Sequence, residues 1–191
     1  MRLLLFGGSY NPVHVGHLIM AQEVARQFGY GLVALVPSLN PPHKSMAADP
    51  GPERRLEMLR IAIEGDPGLV ADDCEIRRGG TSYTIDTIRD LASRYQVEGK
   101  IGLLLGDDLV PGFGDWREPG RLAAEADIVC ARRLHAERLD FPYPHRYADN
   151  PIVAVSSSMI RARIAAGEAF RQFLPRGVRD YIVAGGLYGL R

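Results

Sequence analysis

In "LLLFGGSYNPVHVGHL" (3–18), His14 and His17 stand about one helical turn apart, just after an aliphatic run and two glycines. An aliphatic run of that kind reads as a buried strand, and the residues beyond Gly16 continue with helical periodicity. Both imidazoles therefore fall near a helix start, where free N–H groups and the helix dipole favour anions. Gly7 and Gly8 carry no Cβ, so the backbone can turn tightly there and approach a ligand closely. Two imidazole donors aimed at one place suit the negative charge of a transferring phosphoryl group. Two plainer readings stand beside this one: ordinary helix-start histidines, and a zinc pair. The zinc alternative has no Cys, Glu or third His at supporting spacing. Other glycine-rich phosphate signatures are missing, since no Gly-x-Gly-x-x-Gly follows the first strand and no Gly-Lys-Ser/Thr occurs.

A second stretch, "VSSSMIR" (155–161), has the form of a capped helix start, with Ser156, Ser157 and Ser158 ahead of the periodic "MIRARIAAG". Arg161, one turn in, offers a planar forked charge suited to phosphate oxygens. Taken alone, the stretch is equally an N-cap followed by a solvent-facing arginine. Paired with the histidine motif about 140 residues earlier, it predicts two helix N-termini converging on one polyphosphate.

The elements that must position these residues alternate between strand and helix. Strand patterns fall at 2–6, 32–37, 69–73, 100–106, 126–132 and 151–155. Helical patterns lie between and after them at about 17–28, 52–64, 84–95, 117–124 and 158–166. This alternation predicts an α/β fold, a doubly wound, mostly parallel Rossmann-like sheet, with its binding site outside the carboxyl ends of the strands. Residues 1–191 read as one domain whose part from about 156 onward is a small helical extension. Two stretches, the proline-rich 37–52 and the segment 132–150, read as long loops, the second an insertion between the last strands.

The 23 basic residues balance 23 acidic ones, which disfavours a nonspecific nucleic-acid or membrane binder while leaving room for a local basic pocket. Cys74 and Cys130 sit in apolar, strand-like runs without metal-ligand spacing and read as reduced core thiols. With no signal peptide and no apolar run near the ~18 residues that span a bilayer, the expected location is the cytoplasm.

"GGSYNPVHVGH" resembles the first signature of the nucleotidyltransferase superfamily, and "VSSSMIR" echoes its second, Ile-Ser-Ser-Thr-x-x-Arg. Four further stretches resemble the bacterial nicotinate mononucleotide adenylyltransferases: "PPHK" (41–44), "SYTIDT" (82–87), "LGDDLVPGFGDW" (105–116) and "FLPRGVRDYIVAGGLY" (173–188). The resemblance implies transfer of AMP from ATP to nicotinate mononucleotide, with Mg²⁺ carried mainly on nucleotide oxygens. It implies that His14, His17 and Arg161 act at the reacting phosphates, and that Gly7, Gly8, Ser9, Lys44, Gly106, Asp108, Ser157 and Ser158 bind ATP and phosphate. Trp116 would stack on the nicotinate ring, with Tyr83, Thr84, Ile85 and Arg117 around the ring and its carboxylate. Nicotinamide mononucleotide or another phosphorylated acceptor stays open as substrate, as does a noncatalytic nucleotide sensor on the same fold. The family's Thr-Phe-Asp-Pro is Ser9-Tyr10-Asn11-Pro12 here, and Asn11 removes a negative charge that would help hold magnesium or orient a histidine. The tail "YIVAGGLYGLR" (181–191) could dock on its own domain or on a neighbour, so no oligomeric state follows from it.

Overall fold

The computed structural model describes residues 1–42 and 48–190. Its strands are β1 (Leu3–Gly8), β2 (Leu32–Pro37), β3 (Leu69–Ala71), β4 (Gly102–Gly106), β5 (Asp127–Ala131) and β6 (His145–Tyr147). They form one sheet in the order β3-β2-β1-β4-β5-β6, with every neighbouring pair parallel. The order reverses between β1 and β4, which opens a crevice beyond their carboxyl ends.

Successive residues of β1 point to opposite faces, so the aliphatic run feeds two cores. Leu4 and Phe6 join one core with Val33, Leu35, Leu104 and Val129; Leu3 and Leu5 join the other with Ala34, Leu103, Leu105 and Ile128. The first face is covered by α1 (Val15–Phe28), α2 (Pro52–Ala62), α6 (Ser157–Ala165) and α7 (Arg176–Ala184), through residues such as Val24, Leu59, Ile160 and Ile182. The second is covered by α3 (Cys74–Arg78), α4 (Thr84–Arg94) and α5 (Pro119–Glu125), through Cys74, Ile88, Leu91 and Leu122. The tail docks on its own domain: Leu187 is buried in the first core, and the Tyr188 hydroxyl lies 4.0 Å from the Met58 sulfur. No helix among the described residues is long and apolar enough to cross a membrane.

Three expectations need correction. Residues 151–155 form no strand; the sixth strand is the polar His145–Tyr147, inside the segment read as an insertion loop. The reason is a competition at the edge of β5. His145–Tyr147 pairs with Ile128–Cys130, and the Ala148 N–H then donates to the Cys130 carbonyl at 2.8 Å. The buried Asn150 side chain takes the next place: its Oδ1 accepts from the Arg132 N–H at 2.9 Å and its Nδ2 donates to the Arg132 carbonyl at 2.8 Å. Nothing remains there for "PIVAV" to pair with, and Pro151 has no N–H to offer. Secondly, Cys74 opens α3 rather than lying in a strand, because β3 stops at Ala71; both thiols are free and buried as expected. Thirdly, Gly7 and Gly8 make no tight turn. They continue the β1 ladder opposite Val36 and Pro37, and the left-handed conformation falls instead on Tyr10, at φ 47°.

Candidate active site

A cavity of about 470 Å³ lies beyond the carboxyl ends of β1 and β4, within the size range of small-molecule sites. Its walls come from both faces of the sheet. Gly7, Gly8, Ser9, His14, His17, Ser157 and Ser158 line it from the β1 loop and the starts of α1 and α6; Tyr83, Thr84, Gly106, Asp108, Trp116 and Arg117 line it from the other elements. Most of the residues singled out in the sequence therefore converge. Side chains at Gly7 and Gly8 would crowd this space: a Cβ on Gly7 would meet nothing within 4 Å, so it would project into the opening, and one on Gly8 would press on the Tyr10 ring at 3.2 Å.

His14 is the N-cap of α1, and its backbone N–H donates to His17 Nδ1 at 3.2 Å. The two imidazoles stack with centroids 3.7 Å apart, and Tyr10 meets the edge of His17 at 4.9 Å. The Tyr10 hydroxyl donates to the Phe6 carbonyl at 2.6 Å, which fixes that ring against β1. His14 is 2 % exposed, and neither of its ring nitrogens has a hydrogen-bond partner among the described residues. Burial, with the Arg133 guanidinium as a second cause, pulls its pKa down to about 3, so it is a neutral imidazole at ordinary pH.

The second motif closes on the first. Ser156 caps α6 by accepting from the Met159 N–H at 3.1 Å. Ser157 Oγ donates to the Pro12 carbonyl at 2.8 Å. Arg161 donates to the Asn11 carbonyl at 2.7 Å and to the Ser158 hydroxyl at 3.3 Å. Arg161 does not line the cavity: it braces the loop behind the two histidines, while Ser157 and Ser158 face the opening.

Beyond β4, the short turn Asp107–Leu109 holds two carboxylates with different tasks. Asp107 is fully buried and accepts the Leu134 and His135 N–H groups at 2.9 and 3.0 Å, so it shapes the loop after β5. Asp108 lines the cavity and pairs with Arg133 at 2.7 Å. Its other oxygen is seated over Gly106, where a Cβ would come within 2.4 Å of it. The wall formed by Tyr83 and Trp116 is aromatic: Trp116 packs on Phe113 at 5.1 Å, and the Arg117 guanidinium lies 4.7 Å over the Tyr83 ring. Ile85 is core rather than lining, in the first turn of α4. Lys44 lies outside the described residues.

Sequence reasoning missed Arg133, Glu75 and Arg55. Arg133 is the second residue after β5, so its position just beyond a strand's carboxyl end was the available signal. Glu75 lines the cavity although its stretch reads as ordinary polar sequence. Arg55 is fully buried and donates to the Ser9 and Ser38 carbonyls at 2.9 and 2.8 Å while pairing with Asp49 at 2.9 Å. It thereby ties the loop after β1 to the end of β2. Nothing in "PERRLEML" separates it from its exposed neighbour Arg54.

Residues 5–163 match the family model described as cytidylyltransferase-like, which fixes the class: a nucleotidyltransferase built around a crevice at the reversal of a parallel sheet. A probable nicotinate-nucleotide adenylyltransferase of Borrelia garinii subsp. bavariensis is 39% identical over 188 residues, covering 98% of this chain and 95% of the relative. One from Treponema pallidum subsp. pallidum is 38% identical over 202 residues, covering 98% and 99%. Within that class, the chain belongs to the nicotinate-nucleotide adenylyltransferase family. Its fold matches that of the Plasmodium falciparum nicotinic acid mononucleotide adenylyltransferase complexed with NaAD, at TM-score 0.81 and 19% identity over 100% of this chain and 98% of that one.

Proposed function

We propose that this protein transfers the adenylyl group of ATP to the phosphate of nicotinate mononucleotide, forming nicotinate adenine dinucleotide for NAD biosynthesis. The observation that carries this reading is one cavity lined by two helix starts on one sheet face and by Tyr83, Thr84 and Trp116 on the other. Such a cavity suits a reaction joining two phosphates, with an aromatic ring held to one side.

A phosphate oxygen of the mononucleotide forms a bond to the α-phosphorus of ATP, the bond from that phosphorus to the bridging oxygen breaks, and pyrophosphate leaves. The nucleophile is already ionised, so the chain needs no general base; positioning and stabilisation of charge are its tasks. His14 and His17 supply ring N–H donors beside the start of α1, Ser158 supplies a hydroxyl beside the start of α6, and Ser157, whose hydroxyl donates to the Pro12 carbonyl, ties the two helix starts together. Asp108 accepts from ribose hydroxyls of ATP, and Trp116 stacks on the nicotinate ring, whose carboxylate meets the amides at the start of α4. Arg161 holds the β1–α1 loop in register with α6.

Magnesium fits as a companion of the nucleotide. Among the described residues no three His, Cys, Asp or Glu side chains gather as a cage, and Asp108 is occupied by Arg133. Phosphate oxygens and water suit such a hard cation, which when bound neutralises charge on the triphosphate.

The test is pyrophosphate release from ATP and Mg²⁺ with nicotinate mononucleotide, nicotinamide mononucleotide or phosphopantetheine as acceptor. A clear preference for the first is expected. ATP binding without release from any of them would leave a nucleotide sensor in place of this enzyme.

A further inference from the structure

Glu75 is a buried carboxylate that the reaction above does not use. It sits in the short helix α3, is 6% exposed, and lines the cavity beside Tyr83 and Thr84. Its Oε1 accepts the Thr87 hydroxyl at 2.6 Å. Its Oε2 has no hydrogen-bond partner, and the residue makes no ion pair among the described residues. A half-satisfied carboxylate in a cavity wall costs stability, because burial removes water without replacing all of its hydrogen bonds. A residue kept only for packing would be better neutral.

What Glu75 holds is informative. Thr87 is 1% exposed, and its hydroxyl also receives Arg78 Nη2 at 3.0 Å, so α3 grips α4 from two points. Thr87 lies in the first turn of α4, and both its N–H and that of Asp86 return to the Tyr83 carbonyl, at 3.2 and 3.1 Å. The amides of Thr84 and Ile85 are left at the open helix end, without partners inside the helix. The preceding loop is pinned as well: the Ser82 hydroxyl accepts the Leu39 N–H at 2.9 Å, and the Ser82 N–H donates to the Asn40 carbonyl at 3.0 Å. The start of α4, whose Thr84 lines the cavity, is therefore held by the link from Glu75 to Thr87 together with Arg78 and the Ser82 anchors.

We propose that Glu75 is a positioning residue for acceptor selectivity: acting through the Thr87 hydroxyl, it aims the first amides of α4 so that they favour an anionic ring substituent over a neutral amide. The inference rests on the adenylyltransferase reading above. A carboxylate can accept from two amide N–H groups with its two oxygens, whereas a carboxamide presents one oxygen to them, so selectivity depends on alignment.

The experiment compares kcat/KM for nicotinate and nicotinamide mononucleotide, and KM for ATP, in wild type, Glu75→Ala, Glu75→Gln and Thr87→Val. Glu75→Ala should lower the nicotinate-to-nicotinamide ratio about tenfold, the scale of one charge-assisted hydrogen bond, with KM for ATP within about twofold of wild type. Thr87→Val, which keeps the side-chain shape, should do the same and serves if Glu75→Ala does not fold. Glu75→Gln keeps an oxygen for Thr87 and should retain most of the ratio. An unchanged ratio in Thr87→Val, a Glu75→Gln as impaired as Glu75→Ala, or equal losses for ATP and acceptor would overturn the assignment. A wild-type protein that transfers AMP to neither mononucleotide overturns the proposed function itself, and the role of Glu75 with it.

Discussion

Replacing His14 by Gln should remove a large part of the protein's sensitivity to mild acid. His14 is 2% exposed and its pKa falls from 6.5 to about 3 in the fold, burial being the larger cause and Arg133 the second. The unfolded chain therefore takes up this proton first as the pH drops, while the folded chain refuses it. Stability from this residue is complete above 6.5 and is lost as pH falls toward about 3. At about pH 5 the unfolded imidazole has passed its ordinary value by about 1.5 units, which at about 1.36 kcal/mol per unit is a loss of about 2 kcal/mol. In a domain of this size that corresponds to roughly 4–8 °C in melting temperature. The assay is urea denaturation of ligand-free wild type and His14→Gln at about pH 7.5 and pH 5. Other groups titrate in the same range, so the quantity that matters is the difference between the two proteins' losses. Wild type should lose about 2 kcal/mol more than the variant. Parallel losses would refute the claim that His14 is held neutral by burial.

Four further outcomes are expected. His17→Ala should lower turnover by on the order of a hundredfold in a protein that remains folded, since one donor to developing charge is worth about 3 kcal/mol; steady-state pyrophosphate release measures it. Trp116→Ala should raise KM for the mononucleotide more than KM for ATP, and equal losses would count against ring stacking. Gly106→Ala should weaken ATP binding by about tenfold in titration calorimetry, because the new methyl would stand 2.4 Å from the Asp108 oxygen and 3.2 Å from Arg133 Cδ. Asn150→Ala strands both backbone groups of Arg132 and should cost about 2–3 kcal/mol of unfolding free energy without changing KM for either substrate.

The sheet was readable from sequence wherever strands are aliphatic, because a strand buried on both faces is a continuous apolar run. Leu3–Gly8, Leu32–Pro37, Gly102–Gly106 and Asp127–Ala131 all follow that pattern. His145–Tyr147 does not: it lies at the sheet edge with His145 exposed, and its pairing depends on a β5 partner that local periodicity cannot reveal. The mistaken strand at 151–155 has the converse cause. Apolar residues there lead into α6, and Ile152 remains exposed at 43%. At the site, the motif residues converge because they sit at helix starts and strand ends that the topology gathers. Arg161 shows what spacing leaves undecided. Its position one turn into α6 is compatible with pointing outward to phosphate or inward to the Asn11 carbonyl, and in this structure its guanidinium donates to that carbonyl.

That inward contact also bears on Asn11, which stands where the family usually carries an acidic residue. The joint between the two motifs runs through main-chain carbonyls, Asn11 to Arg161 and Pro12 to Ser157, which any side chain at position 11 would leave in place. Asn11 is 2% exposed, and an ionised carboxylate there would carry a desolvation cost that an amide avoids. The exchange therefore keeps the main-chain joint between the two motifs while avoiding a buried negative charge.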